Sequence, residues 1–237
     1  MMMMSLLAIS FLVPPALFTL GLLQDFAINS DVTDEHYTLF APIRSTHVFL
    51  IDESGQIAHE WETGFQPGHE ARLMPDGRLF HTGKTKHELF RGGGQGGRLS
   101  ILEADGTVAW SWTLPAKYLQ HHDVELLPNG NMLAIAWEQR TAKQAEALGR
   151  EPDSVSRDGI WPDVILEIRP VKGETGAYPT KDSGKIVWEW HSWDHLVQDR
   201  DENKANYGVI ADSPRSIDIN HGGIDKRSEA EIEEEEE

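Results

Sequence analysis

The chain contains no cysteine in its 237 residues. That excludes thiolate catalysis, cysteine-ligated zinc, thioether-attached haem and any disulfide framework. Basic residues are scarce: Lys and Arg number 21 against 39 Asp and Glu, a net charge of −18. Seven of those acids crowd into Glu229–Glu237, leaving −11 on the rest of the chain. With no basic stripe, nucleic acid is excluded as the main partner, and so is anionic lipid. No Gly-x-Ser-x-Gly elbow marks a nucleophilic serine. The glycine run Gly92–Gly97 lacks the Lys-Ser/Thr ending of a phosphate loop, and it reads instead as a flexible connection between repeats. What is present is ordinary globular composition, 39% hydrophobic and 25% charged, enough for one large domain or two small ones.

Met1–Leu23 carries no charged side chain and is long enough to span a bilayer. Residues 1–24 are expected to form an apolar helix acting as a signal or membrane anchor, with the tether running through residues 5–23. Pro14 and Pro15 interrupt it, and neither a basic n-region nor a small-x-small cleavage site accompanies it. The first basic residue is Arg44, whereas Asp25, Asp31, Asp34 and Glu35 follow the run. This asymmetry favours export of the remainder, giving an exported (periplasmic or extracytoplasmic) or membrane-anchored protein. Residues 225–237 form an acidic block expected to be disordered.

Between these ends the sequence repeats. Val48–Asp52, a turn at Ser54-Gly55 and Gln56–Trp61 form a first copy. Leu99–Glu103, Asp105-Gly106 and Thr107–Trp112 form a second. Val164–Ile168, Ser183-Gly184 and Lys185–Trp190 form a third. Gly55 to Gly106 and Trp61 to Trp112 are both 51 residues; Gly106 to Gly184 and Trp112 to Trp190 are both 78. A second half follows the first two: Gly68–Gly77 matches His121–Gly130, with His69 to His122 and Gly77 to Gly130 both 53 residues apart. β-Branched and apolar runs broken by Asp-Gly or Asn-Gly are hairpins, and two hairpins per copy make a four-stranded unit. A period near 50 residues is that of a β-propeller blade. The expected fold is therefore all-β: an incomplete propeller over residues 37–224, with about three four-stranded blades. The tryptophan closing each second strand is expected between neighbouring blades. Gln139–Glu151 reads as a short helix, and Trp193–Asp199 as a helical turn. Three blades leave open edges and an uncovered apolar face, so the chain is expected to be a fragment of a longer propeller or to self-associate through those edges.

In a propeller, equivalent repeat positions converge on one axis. His69 and His122 are equivalent, at the start of the third strand of their copies, and make a site for an anion or a proton relay with Arg72 nearby. His221 is a third candidate. His121 and His122 are adjacent on a strand and should point to opposite faces, which argues against a shared ion. No metal and no cofactor is expected. Glu189, Asp194, Asp52 and Glu60 read as solvated or turn residues, and no pair of acids stands out as a glycosidase pair. Ser183–Trp188 looks like a tryptophan-docking motif that ties blades together.

Four segments in order carry a family resemblance: His121–Asn131; Gly159–Glu167; Gly184–Trp190 running on to Trp193–Leu196; and Asn206–Gly208 followed by Ile217–Asn220. Over roughly residues 37–223 the chain resembles the arylsulfotransferase β-propeller family. The resemblance implies a six-bladed, exported propeller that moves a sulfuryl group from an aryl sulfate to a phenol, without a nucleotide sulfate donor. It implies a transiently sulfated histidine, with further histidines and an arginine around the sulfuryl oxygens. His122 matches the family's His-Asp motif and His69 is its first-repeat analogue; both are auxiliary residues, not the nucleophile, with Arg72 and His221 binding substrate. Where the family continues into a further histidine motif, this chain runs into Gly222-Gly223-Ile224 and the acidic tail. The resemblance therefore implies a truncated form. The alternatives are a non-catalytic binding or scaffold propeller and, more remotely, a quinoprotein-like oxidoreductase.

Overall fold

A computed structural model describes residues 36–171 and 183–221. The expected leader helix of residues 1–24 and the acidic tail of 225–237 lie outside the described residues.

The fold is all-β, as the hairpin signals require. Thirteen strands are present among the described residues. They are β1 (Thr38–Phe40), β2 (His47–Ile51), β3 (Ile57–Glu62), β4 (Pro67–Leu73), β5 (Leu79–Lys84), β6 (Gly97–Leu102), β7 (Val108–Thr113), β8 (Tyr118–Leu126), β9 (Met132–Glu138), β10 (Asp163–Pro170), β11 (Gly184–His191), β12 (Leu196–Val197) and β13 (Ile217–Asp218). They form three antiparallel sheets, β1-β2-β3, β4-β5-β6-β7 and β8-β9-β10-β11, and a short parallel pair, β12-β13. The one α-helix among the described residues, α1 (Ala142–Ala147), opens on a capping box between Thr141 and Gln144. Over Trp193–Asp199 a 3-10 turn spans Ser192–His195 and then gives way to β12.

The same turn is built four times. At Asp52, Met74, Glu103 and Leu127 the backbone N–H bonds the carbonyl four residues on, and the carbonyl accepts from the glycine three residues on. Gly55, Gly77, Gly106 and Gly130 all have φ between +80° and +84° there, the left-handed conformation that closes such a hairpin and that glycine adopts without steric cost.

The grouping of hairpins into sheets departs from the sequence reading. The hairpin holding His69 does not join the one before it. β3 and β4, separated by four residues, belong to different sheets, whereas β5 and β6 pair across the longer segment 85–96. The short connection is therefore the step between sheets, and Gly92–Gly97 belongs to a connection within a sheet. His69 and His122 consequently lie on the first strand of their sheets. A hairpin's turn chemistry fixes its own two strands but not its neighbour, and that freedom is what the repeat alone left open.

The first strands β1, β4 and β8 are neighbours in space, and the sheets stack face to face behind them. Val48, Trp61, Leu79 and Leu102 form the core between the first and second sheets. Phe80, Leu99, Ile101, Trp110, Trp112, Met132, Ala134, Ala136, Val164, Leu166 and Ile168 form the core between the second and third. β9 alternates buried and half-buried residues along its length, the period-2 pattern of a strand with one face in the core. Tryptophans bridge the sheets as expected: Trp61 Nε1 donates to the Glu103 carbonyl and Trp110 Nε1 to that of Ser183. The Trp112 ring lies so close to Gly184 that a Cβ there would approach it to 2.3 Å. The third copy differs. Trp190 stacks on His195 of its own sheet's continuation, and Trp188 stands 48% exposed. The described sheets do not close into a ring, and no described helix is long and apolar enough to cross a membrane.

Candidate functional site

Two of the first strands, β4 and β8, carry the same defect. On β4 the register moves from Pro67↔Gly83 to Ala71↔His81, four residues against two. On β8 it moves from Gln120↔Ala136 to Val124↔Ala134, again four against two. A bulge of this kind bends its strand and re-aims the side chains on it. At the centre of each bulge sits a histidine in left-handed backbone, His69 at φ +78° and His122 at φ +56°, the two non-glycine residues with positive φ among those described. Their exposed rings face each other with centroids 5.6 Å apart. The structure thus brings together the repeat-equivalent pair.

The second bulge is braced by the segment 92–97. The His122 N–H donates to the Gly94 carbonyl and the Gly96 N–H to that of Gln120, both at 2.9 Å. The His122 ring lies directly over Gly94, where a Cβ would fall 2.4 Å from its Cε1. The glycine run is thus an ordered support for the site, and residue 94 has to be small.

The left-handed turn at His122 also overturns the expectation that His121 and His122 point apart. Their Nδ1 atoms are 3.0 Å from each other. His121 is buried, stacked on Trp137 at 4.2 Å, and its Nε2 reaches Asp163 Oδ1 at 3.1 Å. Asp163, His121 and His122 form a continuous chain from β10 to the exposed histidine pair. The sequence showed the His121-His122-Asp123 run, but strand alternation pointed His121 away, and nothing marked Asp163 as its partner.

Carboxylates surround the pair. Arg72 Nε donates to Glu70 at 3.1 Å and Arg72 Nη1 to Glu125 at 3.0 Å, so its guanidinium joins the two bulged strands. The Glu125 hydrogen bond, foremost, holds Arg72 firmly protonated. Partial burial pushes the Glu70 carboxyl above its usual range against the pull of Arg72, with Asp123 and Glu125 adding to the rise. Beside His69 and Glu70 a groove of about 290 Å³ opens between β1 and β4, walled by Leu39, Phe40, Ile43 and Pro67. His221 lies elsewhere: its carbonyl accepts from Arg150 in the segment after α1. Among the described residues no three metal-ligating side chains converge.

Of the acids read as solvated, Asp52 is a turn residue accepting from the N–H groups of Ser54 and Gln56, and Glu60 pairs with His47. Glu189 is not free. It accepts from Tyr118 Oη and contacts His191, which in turn meets the buried Glu138 that Arg140 also holds. These groups end neighbouring strands of one sheet, a proximity that register alone creates.

No protein-family model matches the chain, and neither does any curated protein. Among solved structures, a Bacteroides caccae protein of unknown function is similar, at 14% identity and a TM-score of 0.38. The match covers 67% of this chain and spans 41% of that one.

Proposed function

We propose that the three sheets are successive blades of an incomplete β-propeller and that the paired histidines serve sulfuryl transfer from an aryl sulfate to a phenol. The observation that carries the reading is the His69–His122 pair. Two imidazoles occupy matched bulges on neighbouring first strands, both in a backbone conformation that costs about 1–3 kcal/mol in a non-glycine residue. Strained residues cluster at ligand-facing sites, and here the strain recurs at the same place in two repeats. The groove beside them has apolar walls suited to an aromatic ring, with imidazole and carboxyl groups at its rim. The raised Glu70 carboxyl, when protonated, would donate to a sulfuryl oxygen and reduce the repulsion between the anion and the surrounding acids. Arg72, tied to Glu70 and Glu125, acts on an anion only by exchanging one of those partners. The uncharged run Met1–Leu23 supports export or a membrane tether for such a protein.

The test is release of nitrophenol from 4-nitrophenyl sulfate that depends on an added phenol. His122→Ala and His69→Ala should each lower the rate. No phenol-dependent release by the intact chain would overturn the reading. One observation favours a second reading, a binding module without turnover: the acids outnumber the single guanidinium they surround. Under that reading an aryl ligand perturbs the His69 and His122 NMR signals while no nitrophenol appears.

A further inference from the structure

We propose that Asp163 and His121 are positioning residues that fix His122 in its Nδ1–H tautomer, so that its Nε2 offers a lone pair at the paired-histidine site. A carboxylate only accepts, so the contact from His121 Nε2 to Asp163 Oδ1 at 3.1 Å places the His121 proton on Nε2. A neutral His121 then has a lone pair on Nδ1, which lies 3.0 Å from His122 Nδ1. Two lone pairs at that distance repel, so His122 Nδ1 carries the hydrogen and donates it. One proton on each neutral ring leaves His122 Nε2 as an acceptor. No protein group among the described residues hydrogen-bonds that nitrogen, and the side chain is exposed.

The orientation is built in. The His121 ring is sandwiched against Trp137 with a 19° interplanar angle, and the two histidine rings stand at 89° to each other. Gly94 lies under the His122 ring and limits its rotation. His69 has no equivalent partner among the described residues to constrain its tautomer. The two members of the pair thus differ: His122 accepts a proton, whereas His69 is free to donate. On the sulfuryl-transfer reading, His122 would take the proton of the acceptor phenol as its oxygen bonds to sulfur and the bond to the departing donor oxygen breaks. The tautomer assignment itself rests on geometry alone and not on the identity of the transferred group.

The experiment is nitrogen-15 NMR of the full chain with labelled histidine, which distinguishes a protonated ring nitrogen from one bearing a lone pair. His122 Nε2 should read as a lone-pair nitrogen in the unaltered protein. His121→Phe keeps a ring on Trp137 but removes the acceptor, and should shift most of the His122 population to Nε2–H. Asp163→Asn, at a side chain 51% exposed, should shift it in the same direction without unfolding the protein, and Asp163→Glu should restore it. A protonated Nε2 in the unaltered protein, or a tautomer indifferent to both substitutions, would overturn the proposal. Failure of the nitrophenol assay alongside the expected NMR result would reject sulfuryl transfer and leave the positioning chain standing. Where transfer does occur, His121→Phe should lower kcat by about tenfold or more with little change in KM.

Discussion

His69 has a backbone geometry its side chain does not favour, and the energetic consequence is measurable. At φ +78° a β-branched residue meets its own backbone, while glycine does not. His69→Val should lower stability by about 1–2 kcal/mol, and His69→Gly should leave it unchanged or raise it by up to about 1 kcal/mol. Urea denaturation of the two variants checks this; equal losses in both would mean that the ring's contacts outweigh backbone strain. His81 gives a second residue-scale outcome. It is 1% exposed, its Nε2 has no hydrogen-bond partner among the described residues, and burial lowers its pKa from 6.5 to about 4. The unfolded chain therefore takes up this proton first as the pH falls. The contribution is fully present above about pH 6.5 and is lost as the pH drops towards 4. The total loss is on the order of 3 kcal/mol. His81→Leu, of similar volume, should flatten that part of the stability profile in denaturation midpoints taken across pH; an unchanged slope would place the acid sensitivity on another group.

At the scale of elements, the sequence was most informative where structure is local. The Asp-Gly and Asn-Gly turns, the Trp61 and Trp112 positions between sheets and the helix after β9 follow from turn chemistry, ring size and periodicity, all properties of a few adjacent residues. Strand grouping was not legible, because it depends on which of two unpaired hairpin edges meets the next one. The meeting of His121 and His122 was hidden for a related reason. Alternation along a strand holds only while the ladder is regular, and the two additional residues on β8 break it. Asp163 was hidden more completely, since its place beside His121 follows from how β10 pairs with β9. The connection between β5 and β6 shows the same dependence on long-range contact. Gly94 has φ +75° and the His122 ring above it, so Gly94→Ala must strain the backbone and displace the ring together. It should cost about 1–2 kcal/mol and shift the His122 ring resonances, with far-UV circular dichroism preserved. The glycine-tolerant site Gly77, where a Cβ meets nothing within 4 Å, provides the control for φ strain alone. If Gly77→Ala shifted His122 as much as Gly94→Ala, the brace would have no specific role.

For the whole molecule, the remaining asymmetry lies at its two ends. Trp61 and Trp110 each close a contact onto a carbonyl of the next sheet, at Glu103 and Ser183. Trp188, the third-copy equivalent of Trp110, has no such sheet to meet among the described residues and stands exposed beside Val187. The first sheet carries the opposite half of the same contact. Its turn at Asp52–Gly55 has the hydrogen-bond pattern of the Glu103–Gly106 turn that receives Trp61, and no sheet among the described residues uses it. With both halves unused among the described residues, the chain can join a second copy head to tail, a heterologous contact that closes if the rotation allows and polymerises if it does not. Two copies of three sheets would give six, within the range that closed propellers adopt. Self-association of the intact chain is accordingly proposed, and it should rise with concentration in sedimentation velocity. Trp188→Ser, which removes the ring from one half, should return the protein to a monomer and, at dilutions where the unaltered chain is itself monomeric, leave the unfolding midpoint nearly unchanged, since an exposed ring adds little to the isolated fold. Trp61→Phe distinguishes this contact from general stickiness. It weakens a sheet-to-sheet bond inside each copy, so it should lower the unfolding midpoint and leave the association of the folded fraction intact. Monomeric behaviour of the unaltered chain at every concentration would show that this apolar face tolerates water without a partner.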